Sequence, residues 1–185
     1  MDDAVRAAFD AVPRKGFLPR GSQWRAGHDG PIPIGRGQTN SQPRTVAAML
    51  RLLDVRPGQR ALDVGAGSGW TTALLAHLVG PTGHVLGVEL EPELVEWGSA
   101  NLAASGSGAR IRAADPDVLG APDDAPWDRI LVSAEAHRLP QQLVDQLADP
   151  GRLVVPVAGS MTLVVKEDGA LTTSRHGYYR FVPLR

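Results

Sequence analysis

The chain has 185 residues, 43% hydrophobic and 21% charged, the size and make-up of one globular domain with a full core. A formal net charge of -1 removes any broad attraction to nucleic acid or anionic lipid, and the lack of cysteine excludes disulfides, thiolate zinc sites and a cysteine nucleophile. The acidic start Met1-Asp2-Asp3 and the early interruption of each apolar run argue against a signal peptide or a membrane span, and the scattered histidines lack zinc-hydrolase spacing, so a cytoplasmic, metal-free chain is expected.

Val5, Ala8, Phe9 and Val12 recur at helical spacing until Pro13, predicting a short amphipathic helix. Residues 16–42 are dense in glycine and proline and read as a long loop, the first candidate for a lid over a substrate. Ser41 then precedes Gln42-Pro43 and a run in which Val46, Met49, Leu50 and Leu53 share one face, so a helix capped by Ser41 is predicted, ending at Pro57-Gly58. Residues 60–64 form a short apolar strand that enters Gly65-Ala66-Gly67-Ser68-Gly69, and Leu74, Leu75 and Leu78 mark the helix after it. Further strands are predicted at 84–88, 109–113, 129–133 and 152–157, with helices at 92–104 and 140–148. Such alternation predicts a doubly wound, mostly parallel sheet in a single domain. Residues 161–166 and 178–184, on either side of Glu167-Asp168-Gly169, read as antiparallel strands that complete one sheet edge.

In a doubly wound sheet, ligands lie at the carboxyl ends of the strands, where the glycine cluster falls. A glycine turn lets the backbone approach a ligand closely, although a merely tight strand-to-helix turn has the same composition. A dinucleotide fingerprint needs glycine at the position of Trp70, whereas Asp63-x-Gly65-x-Gly67-x-Gly69 has the spacing of S-adenosylmethionine sites. Glu89 ends the next strand, where its two oxygens can accept both hydroxyls of a ribose, or where it is simply a surface glutamate. Asp115 follows the third strand as an acceptor for the adenine amino group or as a plain turn residue.

The stretch Pro33-Ile34-Gly35-Arg36-Gly37-Gln38-Thr39-Asn40-Ser41-Gln42-Pro43 closely resembles the substrate-side signature of the protein-L-isoaspartate (D-aspartate) O-methyltransferases. Ala11-Val12-Pro13-Arg14, the cofactor loop from Asp63 to Trp70, Ala125-Pro126-Trp127-Asp128, the strand after Gly151 and Phe181-Val182-Pro183-Leu184 match that family in register. The resemblance implies a Rossmann-like S-adenosyl-L-methionine-dependent methyltransferase fold. It implies methyl transfer to the carboxylate of isoaspartyl residues in damaged proteins; a monomer with no nucleic-acid or membrane partner is expected. It places Ser41 at the catalytic position. Cofactor contacts are implied for Gln38, Thr39, Asn40, Asp63, Gly65, Gly67, Ser68, Gly69, Glu89, Leu90, Asp115 and Pro116. Ser41 as a helix cap and Ser41 as a substrate-positioning group are compatible readings.

Three departures from the family pattern bear on this expectation. Ala114-Asp115-Pro116 stands where the family has Gly-Asp-Gly, which alters the expected adenine contacts. Ser133-Ala134-Glu135 brings an extra carboxylate that is expected near the acceptor, where it would disfavour acidic substrates. The first helical segment is short, and the sequence stops one residue after Leu184. Alternatives are a methyltransferase for another acceptor, such as tRNA or a small carboxylate, and a relative that holds the cofactor without turnover.

Overall fold

The computed structural model of the chain describes residues 3–185; Met1 and Asp2, two of the three residues of the acidic start, lie outside them. A seven-stranded sheet has the order β5-β4-β3-β6-β7-β8-β9, with β3 (Arg60–Val64), β4 (His84–Glu89), β5 (Arg110–Ala113), β6 (Trp127–Val132), β7 (Leu147–Val157), β8 (Ser160–Glu167) and β9 (Ala170–Tyr178). The pairs from β5 through β7 are parallel, and β7-β8 and β8-β9 are antiparallel. A separate hairpin joins β1 (Ile32–Gly35) and β2 (Gln38–Asn40).

Apolar strands β3 and β6 are buried on both faces, so they need a layer on each side. One layer is formed by α1 (Asp3–Ala11), α2 (Pro43–Leu53) and α3 (Trp70–Val79), which bury Ala8, Met49, Leu53, Leu74 and Leu75. On the other, α5 (Gln141–Asp145) and the connection between β5 and β6 cover Leu62, Val64, Ile130 and Val132 with Leu143, Val144 and Ala121. Strand order reverses between β3 and β6, and the crevice at such a reversal is where doubly wound sheets bind ligands.

Helix α4 (Pro92–Ser105) meets the glycine turn at one glycine. A Cβ on Gly98 would lie 2.6 Å from the Gly67 carbonyl oxygen and 2.8 Å from Ile111 Cδ1. Gly69 completes the contact from the other side, since its own Cβ would sit 3.0 Å from the Gly98 oxygen. Asn101, one turn further along α4, donates to the Ser68 carbonyl at 2.9 Å, so the helix backs the turn and fixes its height.

Four sequence expectations are corrected. Residues 16–42 are not a free loop: they fold into 3₁₀ turns at Arg14–Phe17 and Arg20–Arg25 and into the β1-β2 hairpin. The helix predicted at 140–148 is only α5, because Leu147 already pairs with Trp127 as the start of β7. The last antiparallel strand is β9, not 178–184; its polar, exposed residues leave no apolar alternation to read, and they pair with β8 through backbone bonds. The helix predicted to run to Pro57-Gly58 stops at Leu53, where Asp54 turns left-handed.

Helix propensity favours alanine over glycine by about 1 kcal/mol, whereas overpacking a close contact costs roughly 1 to 3 kcal/mol. Since the obstacle at Gly98 is backbone, Gly98→Ala is expected to lower stability, read as a reduced urea midpoint, and to weaken ligand binding at the glycine turn.

Candidate functional site

A cleft of about 720 Å³ opens at the carboxyl ends of β3, β4, β5 and β6, a volume suited to a nucleoside-sized ligand with room beside it. Its floor is the turn from Gly65 to Ser68. The Gly65 and Ala66 N–H groups donate to the Val88 carbonyl at 2.9 and 3.1 Å, bending the chain sharply off β3 onto the tip of β4. Gly67 has φ +52°, and a Cβ there would come within 3.2 Å of Ile34 Cδ1 in the hairpin above, so a larger residue would narrow the cleft.

Glu89, 7% exposed, closes the turn from the neighbouring strand. One carboxylate oxygen accepts the Gly67 N–H at 2.8 Å and the other accepts the Glu91 N–H at 3.0 Å. A carboxylate oxygen has two acceptor positions, so each retains one for a ligand on the cleft side. Leu90, Asp115 and Pro116 continue the same wall. Asp115 spends one oxygen on the Asp117 N–H at 2.9 Å, which fixes the Ala114-Asp115-Pro116 turn.

Asp63 and Gly69 do not line the cleft, contrary to expectation. Asp63 is fully buried beneath the turn, where one oxygen accepts both the Thr71 and Thr72 hydroxyls at 2.7 Å, while the other has no partner among the described residues. It clamps the start of α3 to β3. Gly69 lies against α4, so its requirement is packing.

The opposite wall is the corner between β2 and α2. Gln38, Thr39, Asn40 and Ser41 all line the cleft. Asn40 is buried, and its amide donates to Ser68 Oγ at 3.0 Å, joining the hairpin to the glycine turn. The Asn40 amide oxygen accepts from Arg14 Nε at 2.6 Å. Arg14 is itself buried, and its remaining donors reach the carbonyls of His28 (2.8 Å), Gly30 (2.9 Å), Asn40 (3.0 Å) and Ser41 (2.9 Å). Burial lowers its pKa to about 10, Asp29 opposes that and Arg25 adds to it, so the guanidinium stays charged at neutral pH.

Ser41 is not the cap of α2. The cap position is Gln42, and the exposed N–H of Arg44 donates to Asp29 at 3.0 Å, a carboxylate from the loop before the hairpin. The backbone N–H of Arg44, and after it the Gln42 side chain, hold the Asp29 pKa below its usual value. Ser41 Oγ therefore has no hydrogen-bond partner among the described residues and faces a cleft rather than a helix end.

Glu135 does not face the cleft either. Its side chain accepts the Gly159 N–H at 3.2 Å, while its backbone pairs with the chain end through Glu135 N–H to Val182 O (2.7 Å) and Leu184 N–H to Glu135 O (2.8 Å). The expected penalty on acidic substrates therefore has no structural basis. Sequence reasoning assigned no site role to this returning segment; Val182, Pro183 and Leu184 form an apolar wall of the cleft, and Arg185 binds Glu91 at 2.5 Å. It also gave Arg14 no role, although the Val12-Pro13-Arg14 turn was a visible signal. Among the described residues, no group of three histidines, aspartates or glutamates is placed to hold a metal, and no helix is long and apolar enough to cross a membrane.

Residues 1–185 match the family described as Protein-L-isoaspartate(D-aspartate) O-methyltransferase. The chain is 45% identical to the Protein-L-isoaspartate O-methyltransferase of Methanopyrus kandleri, covering 97% of this chain and 82% of that one. It is also 45% identical to the enzyme of that name from Thermococcus onnurineus, over 98% of this chain and 85% of the relative. A crystal structure of a putative protein-L-isoaspartate O-methyltransferase from Plasmodium falciparum, in complex with S-adenosyl-L-homocysteine, superposes with a TM-score of 0.89 at 28% identity, covering 100% of this chain and 91% of that one.

Asp63 offers a test of the floor of the site. Burial raises its pKa from 3.8 to about 6, opposed by the two threonine hydroxyls and reinforced by Glu89. The native state thus holds a proton that the unfolded chain releases near 3.8, so the resulting stability is full below that pH and is lost as pH rises through about 6. Asp63→Asn keeps an oxygen acceptor for both threonines and removes the linkage. From about pH 4 to about pH 7 the native protein should lose on the order of 3 kcal/mol relative to this variant, measured by urea unfolding across the range.

Proposed function

The chain belongs to the protein-L-isoaspartate (D-aspartate) O-methyltransferase family, and from that premise we propose that it transfers a methyl group from S-adenosyl-L-methionine to the carboxylate of isoaspartyl residues in damaged proteins. The observation that carries this is the pairing of two walls: a glycine turn with a buried carboxylate, and, tied to it through Asn40 and Ser68, a corner that presents the free hydroxyl of Ser41.

The residues present fit the cofactor. Glu89 retains acceptor positions for the ribose hydroxyls, Gly65, Gly67 and Ser68 allow close backbone approach, and Gln38, Thr39, Asn40, Leu90, Asp115 and Pro116 complete its surroundings, with one Asp115 oxygen left for the adenine amino group. When bound, S-adenosyl-L-methionine supplies an electrophilic methyl group on a sulfonium.

A carboxylate acceptor has a pKa near 4 and is ionised at neutral pH, so the chain need not supply a general base. Its task is orientation, which contributes on the order of 7 to 11 kcal/mol in favourable systems. Ser41 donates its hydroxyl hydrogen to the acceptor carboxylate and turns it toward the glycine turn. Ile34, Leu139, Val182 and Leu184 supply apolar walls that exclude water from a reaction in which opposite charges neutralise one another. A monomer acting in the cytoplasm is part of this proposal, and the cysteine-free sequence suits a reducing compartment.

Isoaspartyl and aspartyl peptides of one sequence share charge and composition and differ in the placement of one methylene, so discrimination rests on positioning. Tritiated methyl from S-adenosyl-L-methionine should label the isoaspartyl peptide and leave its aspartyl twin unlabelled. In Ser41→Ala, labelling should fall by about 10- to 100-fold with cofactor affinity retained, the loss of one charge-assisted hydrogen bond. Equal labelling of the twins would reject the repair assignment.

A further inference from the structure

Residues 12–28 contain Arg14, Lys15, Arg20, Arg25 and His28 and no acidic residue, in a chain whose formal net charge is -1. Arg14 is spent on carbonyl groups inside the fold, but Lys15, Arg20 and Arg25 make no ion pair among the described residues. Between them stands Trp24, 82% exposed, the most exposed tryptophan of the chain. Its ring is nevertheless held: the indole N–H donates to the Gly21 carbonyl at 3.0 Å, and the Arg25 guanidinium lies 6.0 Å from the ring centroid. The acidic residue that follows, Asp29, is already engaged by Gln42 and by Arg44 at 3.1 Å. A held, exposed indole with one unpaired guanidinium over it and two further unpaired cations in the same run of turns has the chemistry of a contact surface for an acidic, partly apolar chain.

Its position relative to the cleft follows from Arg14, which holds the carbonyls of His28 and Ser41 on one guanidinium. Trp24 lies four residues before His28 in tight turns, with Ala26 N–H bonded to Gln23 and His28 N–H to Arg25. At about 2 Å per residue for such turns, the Trp24 backbone lies within about 15 Å of Ser41. An extended polypeptide advances about 3.3 Å per residue, so about five residues span the gap.

We propose that the surface formed by Trp24, Arg20, Arg25 and Lys15 is an exosite for acidic segments of the damaged polypeptide, engaged about five residues away from the isoaspartyl residue held at Ser41. The proposal rests on the repair function and adds to it a substrate preference. A polypeptide is favoured over nucleic acid or membrane because three free cations are fewer than the roughly 6 to 10 phosphate contacts of a duplex binder or the roughly 4 to 8 basic residues of a lipid-binding cluster.

The test uses five isoaspartyl peptides: a short one, two extended on one side or the other by five residues ending in Glu-Phe-Glu, and two extended identically but ending in Lys-Phe-Lys. Methyl transfer from S-adenosyl-L-methionine is followed at low salt. The acidic extension on one of the two sides should lower KM by about tenfold relative to the lysine extension, leave kcat unchanged, and lose its advantage at about 0.5 M salt. Trp24→Ala should reduce the preference, and Arg20→Glu with Arg25→Glu should reverse it, with cofactor affinity and turnover of the short peptide unchanged in both.

No labelling of the short peptide would fail the repair function itself. Labelling of the short peptide with equal KM for both extensions on both sides would overturn the exosite alone. Displacement of the acidic peptide by an oligonucleotide or by phosphatidylserine vesicles at tenfold lower charge concentration would overturn it in favour of those partners.

Discussion

One buried guanidinium sets the geometry on which the site depends. Arg14 donates to four carbonyl groups and one side-chain amide in two stretches of chain distant from it in sequence, the loop after the second 3₁₀ turn and the Asn40-Ser41 corner between β2 and α2. Its guanidinium lies 5.5 Å from the ring centroid of Trp70, the first residue of α3, and the Trp70 indole N–H donates to Val12 at 3.1 Å. The planar fork matters because a lysine ammonium has three donors on a flexible stem and cannot satisfy five acceptors spread over that area. Removal of the guanidinium would leave buried carbonyls without donors, a cost of about 1 to 3 kcal/mol for each group stranded. The hairpin thus acts as a fixed wall, held from behind, rather than as a loose cover.

The floor shows a division of labour between two carboxylates. Asp63 lies beneath the turn, shares one oxygen between two threonine hydroxyls and is held toward the protonated state by burial. Glu89, one strand over, orients the turn with backbone donors on one side and keeps acceptor positions toward the cleft. Helix α4 reaches the same turn through Gly98 and Asn101, so the loop expected to meet the ligand is braced by a strand, a helix and the hairpin at once. Preorganisation of this kind suits a reaction whose catalytic demand is alignment.

Much of this architecture is legible in the sequence because its signals are local. The apolar strand 60–64, the glycine spacing after it and Glu89 at the next strand end are set by neighbours in the chain, and the motif around Thr39 to Pro43 located the second wall. What stayed hidden depends on partners far apart in sequence. Arg14 acts on Asn40, 26 residues away, and Asp29 caps α2 from 15 residues before it, which left Ser41 free where a local reading made it a cap. Glu135 was expected in the cleft because it follows β6, yet its backbone pairs with the returning chain end and its side chain turns to Gly159. Strand β9 has no apolar face to betray it, and Asp63 carries the motif without touching the cleft because its role is to hold the turn from below.

The central claim is that Arg14 fixes the Ser41 corner at the distance the acceptor requires. Arg14→Lys tests it directly, with folding checked by circular dichroism, cofactor affinity by calorimetry and kcat/KM on an isoaspartyl peptide. A displacement of about 1 Å at a reacting group costs on the order of 100-fold, so kcat/KM should fall by about that factor while cofactor affinity changes much less. A folded variant with undiminished kcat/KM would contradict the account.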